Sequence, residues 1–239
     1  LKRRDQDWIF EFQETNCPLY NYRAFIALYM NERDQFRCAV KLILNPVLVA
    51  DGFRASRTTY RRTLGEVIHI VALQGSPHGG QCCVCLGIHL AFLPLVGSAE
   101  ACDFVRITER ECEFRSRLAP TGQCDFWWSY GSTEHEAQAS AESILRLYRD
   151  VGVPYFGRFT KFPDDFVHVT PSMLSNGSPL RFPSGGTFVR RALALSRIAL
   201  HTGRISEAKQ FAEIGLAHLG RAKGLENEFR NMLAVEERE

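Results

Sequence analysis

Three cysteines fall within four residues, Cys82-Cys83-Val84-Cys85, and two histidines, His69 and His89, stand on either side of them. Thiols and imidazoles this close suggest two chemistries, a metal centre or a thiolate deprotonated by an imidazole. A zinc knuckle requires a tight turn so that both sulfurs of C-x-x-C face one point. Here the motif lies inside an alternating run that predicts a strand, which sends Cys82 and Cys85 to opposite faces. Cys83, Cys85 and His89 share a parity, and they would meet His69 across a hairpin in one register only. A nucleophilic pair would join Cys83 or Cys85 to His69 or His89 and would also need an oxyanion hole, for which there is no local signature. Cysteines at apolar strand positions usually serve as small hydrophobes. The expectation is core thiols, with no metal and no cofactor.

Two further groupings are candidates for binding. Arg54, Arg57, Arg61 and Arg62, together with Arg115 and Arg117, form the only dense basic cluster. Such a cluster guards an edge strand against pairing, or it grips carboxylates and phosphates bidentately. In the second case these arginines would be exposed, and would matter more for binding than for folding. Trp127-Trp128 alternates on a strand, so one indole enters the core and the other lies nearer the surface, where it would suit an interface hot spot. The segment QGSPHGGQ at 74–81 presents Gln74, Ser76 and His78. It joins two strands, precedes no helix and lacks the lysine of a phosphate-binding loop, which makes it a hairpin connection. The candidate binding set is therefore Arg54, Arg57, Arg61, Arg62, Gln74, Ser76, Arg115, Arg117 and Trp128.

These residues need a scaffold, and the periodicity supplies one. Phe36, Val40, Leu42, Ile43 and Leu48 recur close to helical spacing over 32–50, with Pro46 expected to loosen the last turns and Asp51-Gly52 closing the helix. Strands are predicted at 53–54, 58–62, 67–73, 81–92, 111–118 and 125–130. In the fourth, Cys82, Val84, Leu86, Ile88 and Leu90 form one apolar face, while Cys83, Cys85, Gly87 and His89 point the other way. A helix over 134–149 carries the stripe Ala137, Ala141, Ile144, Leu145 and Tyr148. Together these make an α+β unit over 30–160, an antiparallel sheet flanked by helices. Residues 1–29 read as a poorly defined extension, 161–186 as an irregular connector and 187–239 as helical, with a hairpin docked on the sheet domain.

Composition sets the outer limits. With 45% hydrophobic and 23% charged residues over 239 positions, the chain is ordinary globular protein. No run approaches the roughly 18 apolar residues of a spanning helix. The first residues lack the pattern of an export signal, because Asp5, Gln6 and Asp7 stand where an apolar stretch should begin. Eight cysteines in a chain this long suit free thiols in a cytoplasmic protein better than a disulfide scaffold. A net charge of +2 supplies no strong field, which disfavours nucleic acid as a partner.

Five features in order resemble the bacterial family known as domain of unknown function 4304, over residues 33–160. They are the helix ending in Gly52-Phe53, the strand ending Val71-Ala72-Leu73-Gln74-Gly75-Ser76, the glycine-containing strand 84–89, the run Glu113-Phe114-Arg115-Ser116-Arg117-Leu118, and Trp127-Trp128. Cys85 stands where the resemblance leads one to expect a polar, asparagine-like side chain. Residues 189–220 resemble a tetratricopeptide hairpin, with Ala192, Leu195, Ser196 and Ala199 on one helix, Gly203 in the turn, and Ala208, Ala212 and Gly215 on the next. The span 225–235 would supply a capping helix. The family has no established activity, so the resemblance implies a fold. The functional expectation is an interaction protein of the immunity or accessory type, without catalysis and with another protein as partner. The alternative is a small hydrolase or transferase that uses the His69, His89 and Cys85 face with Arg115 or Arg117.

Overall fold

The computed structural model describes residues 30–96, 102–177, 182–183 and 186–236. The expected extension over 1–29 lies outside them. The first helix, α1 (Glu32–Ala50), begins where the Asn31 side chain accepts a hydrogen bond from the Asp34 N–H and ends as Gly52 takes φ +86°. It continues through Pro46, against the expectation of loosened last turns, and buries Phe36, Ala39, Val40, Leu44 and Leu48.

Six strands follow: β1 (Arg54–Ser56), β2 (Thr59–Leu64), β3 (Val67–Gly75), β4 (Gln81–Leu90), β5 (Phe114–Arg117) and β6 (Trp128–Ser129). They form one antiparallel sheet in the order β1-β2-β3-β4-β5, with β6 pairing the start of β4. The register sets Val67 opposite Leu90, His69 opposite Ile88, Val71 opposite Leu86 and Leu73 opposite Val84. These residues project to one side of the sheet. Their neighbours Ile68, Ile70, Ala72 and Gln74, opposite His89, Gly87, Cys85 and Cys83, project to the other.

On the first side, α1 and a second helix, α2 (Glu134–Leu147), pack over the sheet. Thr133 caps α2 by accepting from the Glu136 N–H, and Ala137, Ala141 and Ile144 join Leu44 and Leu48 in the main core. A π-helical turn (Tyr148–Gly152) leads into the short α3 (Val153–Gly157). Its Tyr148 hydroxyl donates to Asp51 at 2.7 Å, which fastens this end of the pair to the end of α1.

The same core continues into the C-terminal third. The segment after α3 contributes Phe159, Phe162 and Phe166, followed by α4 (Pro171–Ser175). Then come α5 (Phe188–His201), α6 (Ile205–Ala217) and α7 (Glu226–Leu233). The hairpin α5–α6 is tight because Ala192, Ala199, Ala208 and Ala212 are all buried, and the Ser196 hydroxyl donates to Ala208 O at 2.7 Å. Gly215 faces α7, where an added Cβ would lie 2.2 Å from the Phe229 ring. The hairpin docks as expected, and the aromatic segment after α3 forms much of the contact. Phe114 meets Phe182 edge-on, Phe162 packs on Phe92 and Phe166, and His201 stacks on Phe92. Arg190 of α5 pairs at 3.0 Å with Glu113, which is buried at the head of β5. The protein is thus α+β, with the C-terminal helices packed against the sheet domain. No helix among the described residues is long and apolar enough to cross a membrane.

Candidate functional site

The second side of the sheet carries the chemistry. Strand parity places Arg54, Arg61, Arg115, Arg117, Gln74, Cys83 and Cys85 there together, through the pairs Arg54–Arg61, Arg61–Ile70, Gly87–Arg115 and Cys85–Arg117. Arg62, opposite His69, faces the helices. Among the described residues no helix covers this side. The segment before β5 crosses it instead, laying Ile107 and Cys112 on Ile68, Ile70, Ala72, Cys83 and Cys85 as a small second core. Gly87 makes that crossing possible, because an added Cβ would stand 2.8 Å from the Cys112 sulfur. Cys112, within the strand predicted over 111–118, lies before β5 begins and joins this cover. All of Cys82–Leu90 is therefore buried on both faces.

The crossing segment leaves a functional group on each flank. On one flank a cleft of about 430 Å³ opens between β1–β2 and the segment, lined by Arg54, Ala55, Arg61, Arg62, Phe104 and Val105 among others. Phe104 and Val105 are 45% and 78% exposed, unusual for apolar side chains of this size. Arg61 is half-buried and donates from Nε to Ile107 O at 2.6 Å, so it ties down the segment that forms the cleft's far wall. Arg62 donates from Nε to His69 Nδ1 at 3.1 Å and from Nη1 to Asp51 O at 2.9 Å, with its guanidinium 4.6 Å over the Phe53 ring. These two arginines, expected to be exposed, hold structure. Arg54 and Arg57 are exposed. Arg57 sits in the β1–β2 turn at φ +57°, a conformation that favours glycine or asparagine.

On the other flank Arg117 lies across two sulfurs. Its Nη1 hydrogen-bonds Cys83 Sγ and lies 3.3 Å from Cys85 Sγ, its guanidinium is 5.6 Å over the Trp127 ring, and its Nε is 3.8 Å from Asp125. Gln74 completes the group, its Oε1 lying 3.5 Å from Cys85 Sγ and its backbone oxygen 3.5 Å from Cys83 Sγ. A hydrogen bond from the Cys85 thiol, with the Arg117 charge beside it, pulls the Cys83 thiol down to about 7 against the opposing effect of burial. Donating that bond pushes Cys85 up.

The family model described as Domain of unknown function (DUF4304) matches residues 44–158. That stretch is a DUF4304 domain. No curated protein matches the chain, and no solved structure does. The matched span begins within α1 and contains the whole sheet, α2 and both flanks of the second side. The C-terminal helices lie beyond the DUF4304 span yet share its core.

Other expected groupings fall apart within the DUF4304 domain. The register puts His69 on the helix side and His89 on the opposite side, so the four-residue set with Cys83 and Cys85 does not assemble. Each imidazole is engaged at both nitrogens. His69 Nδ1 accepts from Arg62 while Nε2 donates to Phe159 O at 2.6 Å; His89 Nδ1 accepts from the Glu113 N–H while Nε2 donates to Leu93 O at 3.0 Å. Burial brings both down to about 4, so both are neutral. Trp128 is the indole in the core, its Nε1 donating to the Ser143 hydroxyl, and Trp127 is the one beside Arg117. Arg115 is exposed and donates to Arg110 O at 3.3 Å; Ser76 accepts from the His78 N–H within the hairpin connection. Sequence reasoning missed Phe104, Val105 and Ile107, which have no periodic pattern. One signal was present: the second face of β4 reads Cys, Cys, Gly, His, without the charges an exposed face would show.

Proposed function

We propose that the protein is a binding protein whose cleft between β1–β2 and the crossing segment takes an acidic stretch of another protein. The observation that carries this reading is the composition of the cleft. Arginine and exposed apolar surface stand side by side, Arg54 against Phe104 and Val105, beside a wall that Arg61 holds in place. A carboxylate-bearing segment with an adjacent apolar side chain would satisfy both, since arginine grips carboxylates through two parallel donors and apolar patches rimmed by charge mark contact sites. Arg57, exposed in the β1–β2 turn next to the lining residue Ser56, adds a second cation, in a backbone conformation that costs an arginine about 1–2 kcal/mol. Exposed arginines contribute little to stability, so their role here would be recognition. An accessory or immunity role suits such a surface.

A displayed library of peptides mixing Asp and Glu with apolar residues tests the reading. Selection on the native chain should enrich acidic-apolar sequences. Their affinity should fall at least tenfold in Arg54→Glu/Arg57→Glu, with the melting temperature held. Enriched peptides that bind both proteins equally would sink the proposal.

A further inference from the structure

The sheet ends at β1, and that end is open. β1 is the outermost strand of the order β1-β2-β3-β4-β5, and all three of its residues are exposed. Strand parity fixes where its backbone points. The Leu73 N–H donates to Thr58 O at 2.9 Å, so residues of even number along β2 exchange bonds with β3. The odd ones, Thr59 and Arg61, exchange theirs with Ser56 and Arg54 of β1. Ala55, opposite Tyr60, is left with its N–H and C=O turned outward. Among the described residues no strand other than β2 pairs with β1.

The side chains along this edge sort by face. Arg54 and Ser56 project to the second side of the sheet, where both line the cleft, and Ala55 projects to the first. Arg57 follows in the β1–β2 turn. The exposed Phe104 and Val105 line the same cleft from the crossing segment.

We infer that the acidic segment taken by the cleft binds as a seventh strand, paired with β1 through the Ala55 N–H and C=O. The inference rests on the acidic-segment reading of the cleft and adds to it the conformation of the partner and the order of its side chains. In an added strand, alternate residues project to the side that carries Arg54 and Ser56. One of them, Asp or Glu, meets the Arg54 guanidinium. The next but one, apolar, lies against Phe104 and Val105. The residue between them faces the other way and contributes its backbone alone. Recognition of this kind draws affinity from main-chain bonds and specificity from every second side chain.

Charge selects the occupant. Exposed strand edges invite pairing with other chains, and short length and flanking cations are the usual guards. A second copy of this chain would bring Arg54 and Arg57 of both molecules onto one strand pair, which like charge disfavours. An acidic strand turns the same two residues into contacts. Ala55 offers one donor and one acceptor, too few to hold a neutral strand, so the charged side chains decide what stays.

The test uses the acidic-apolar peptides selected on the native chain from the displayed library. Their sequences should place the acidic and the apolar residue at alternate positions. Ala55→Pro removes the outward N–H, a donor that the β1–β2 ladder does not use, and edge strands accommodate proline where the N–H faces solvent. Peptide affinity should fall at least tenfold in Ala55→Pro, with the melting temperature held. On the native chain, saturating peptide should slow hydrogen exchange of the Ala55 amide at least tenfold. Unchanged exchange at that amide overturns the inference, a result that depends on no variant. Peptides that bind Ala55→Pro as tightly as the native chain yet lose affinity for Arg54→Glu/Arg57→Glu also overturn it, and leave the acidic-segment reading standing. So does a spacing of three or four between the selected residues, which is that of a helix. A library that yields no acidic binder overturns both.

Discussion

The two sides of the sheet are covered by different means. On one side α1 and α2 lay regular apolar stripes over Val67, Val71, Leu86 and Ile88, and the C-terminal helices extend the same core past Phe114. On the other a single irregular segment, held by Arg61 at Ile107 O and seated against Gly87 by Cys112, covers only the centre. Helices bury broad area and satisfy their own backbone, so that side is spent on stability. An irregular cover leaves flanks, and on those flanks stand the polar and charged groups, Arg54 and Phe104 at one and Arg117 and Trp127 at the other. Within one sheet, the two sides thus differ in how much of their edge groups the cover leaves in reach of solvent.

That contrast can be broken first where the regular side is densest. Phe114→Ala removes a ring packed against Phe182 at the seam with the C-terminal helices, and should cost about 3–5 kcal/mol in urea unfolding. A loss under 1 kcal/mol would mean the seam is not part of the cooperative unit. Acid probes one histidine on each side. Both fold with pKa near 4 against 6.5 when unfolded, so their contribution is complete above pH 6.5. As pH falls toward 4 the unfolded chain takes up protons that the native state refuses, and stability drops by on the order of 3 kcal/mol per histidine. Urea midpoints measured from pH 7 to 4.5 should show this slope, and His89→Gln should remove its share of it. The smallest effect belongs to the irregular cover. Ile107→Ala should cost about 2 kcal/mol, the low end for such a truncation, because a loop collapses into the space more easily than a helix. Hydrogen exchange should then rise in β3 and the crossing segment while α1 and α2 keep their protection; a uniform rise would show the two covers to be one unit.

Legibility in the sequence followed the same division. The stripe Phe36, Val40, Ile43, Leu48 and the alternation of β4 are strong periodic signals, and α1, α2, the sheet and the C-terminal helices appear as expected, although Leu42, read with that stripe, faces solvent. The arginines were visible as a cluster, but whether each was free depended on register. One residue of parity sends Arg62 to the helix side to hold His69, and Arg61 to the other to hold Ile107. Register also separated His69 from His89 and chose Trp128 for the core. The crossing segment could not be read at all, because Phe104, Val105 and Ile107 follow no period and are defined only by what they lie against.

The docking of the C-terminal helices has a consequence for synthesis. The DUF4304 span is complete at residue 158, but Phe229, the last large side chain of the shared core, comes about 70 residues later. At roughly 5–20 residues per second of translation, the nascent sheet waits several seconds with Phe114 and its surroundings still uncovered. During that interval the chain displays an apolar seam to whatever is nearby, and holdase chaperones bind surfaces of that kind. The interval closes only when the helices from α5 to α7 are all in place, with Arg190 reaching Glu113 and Phe229 entering the core.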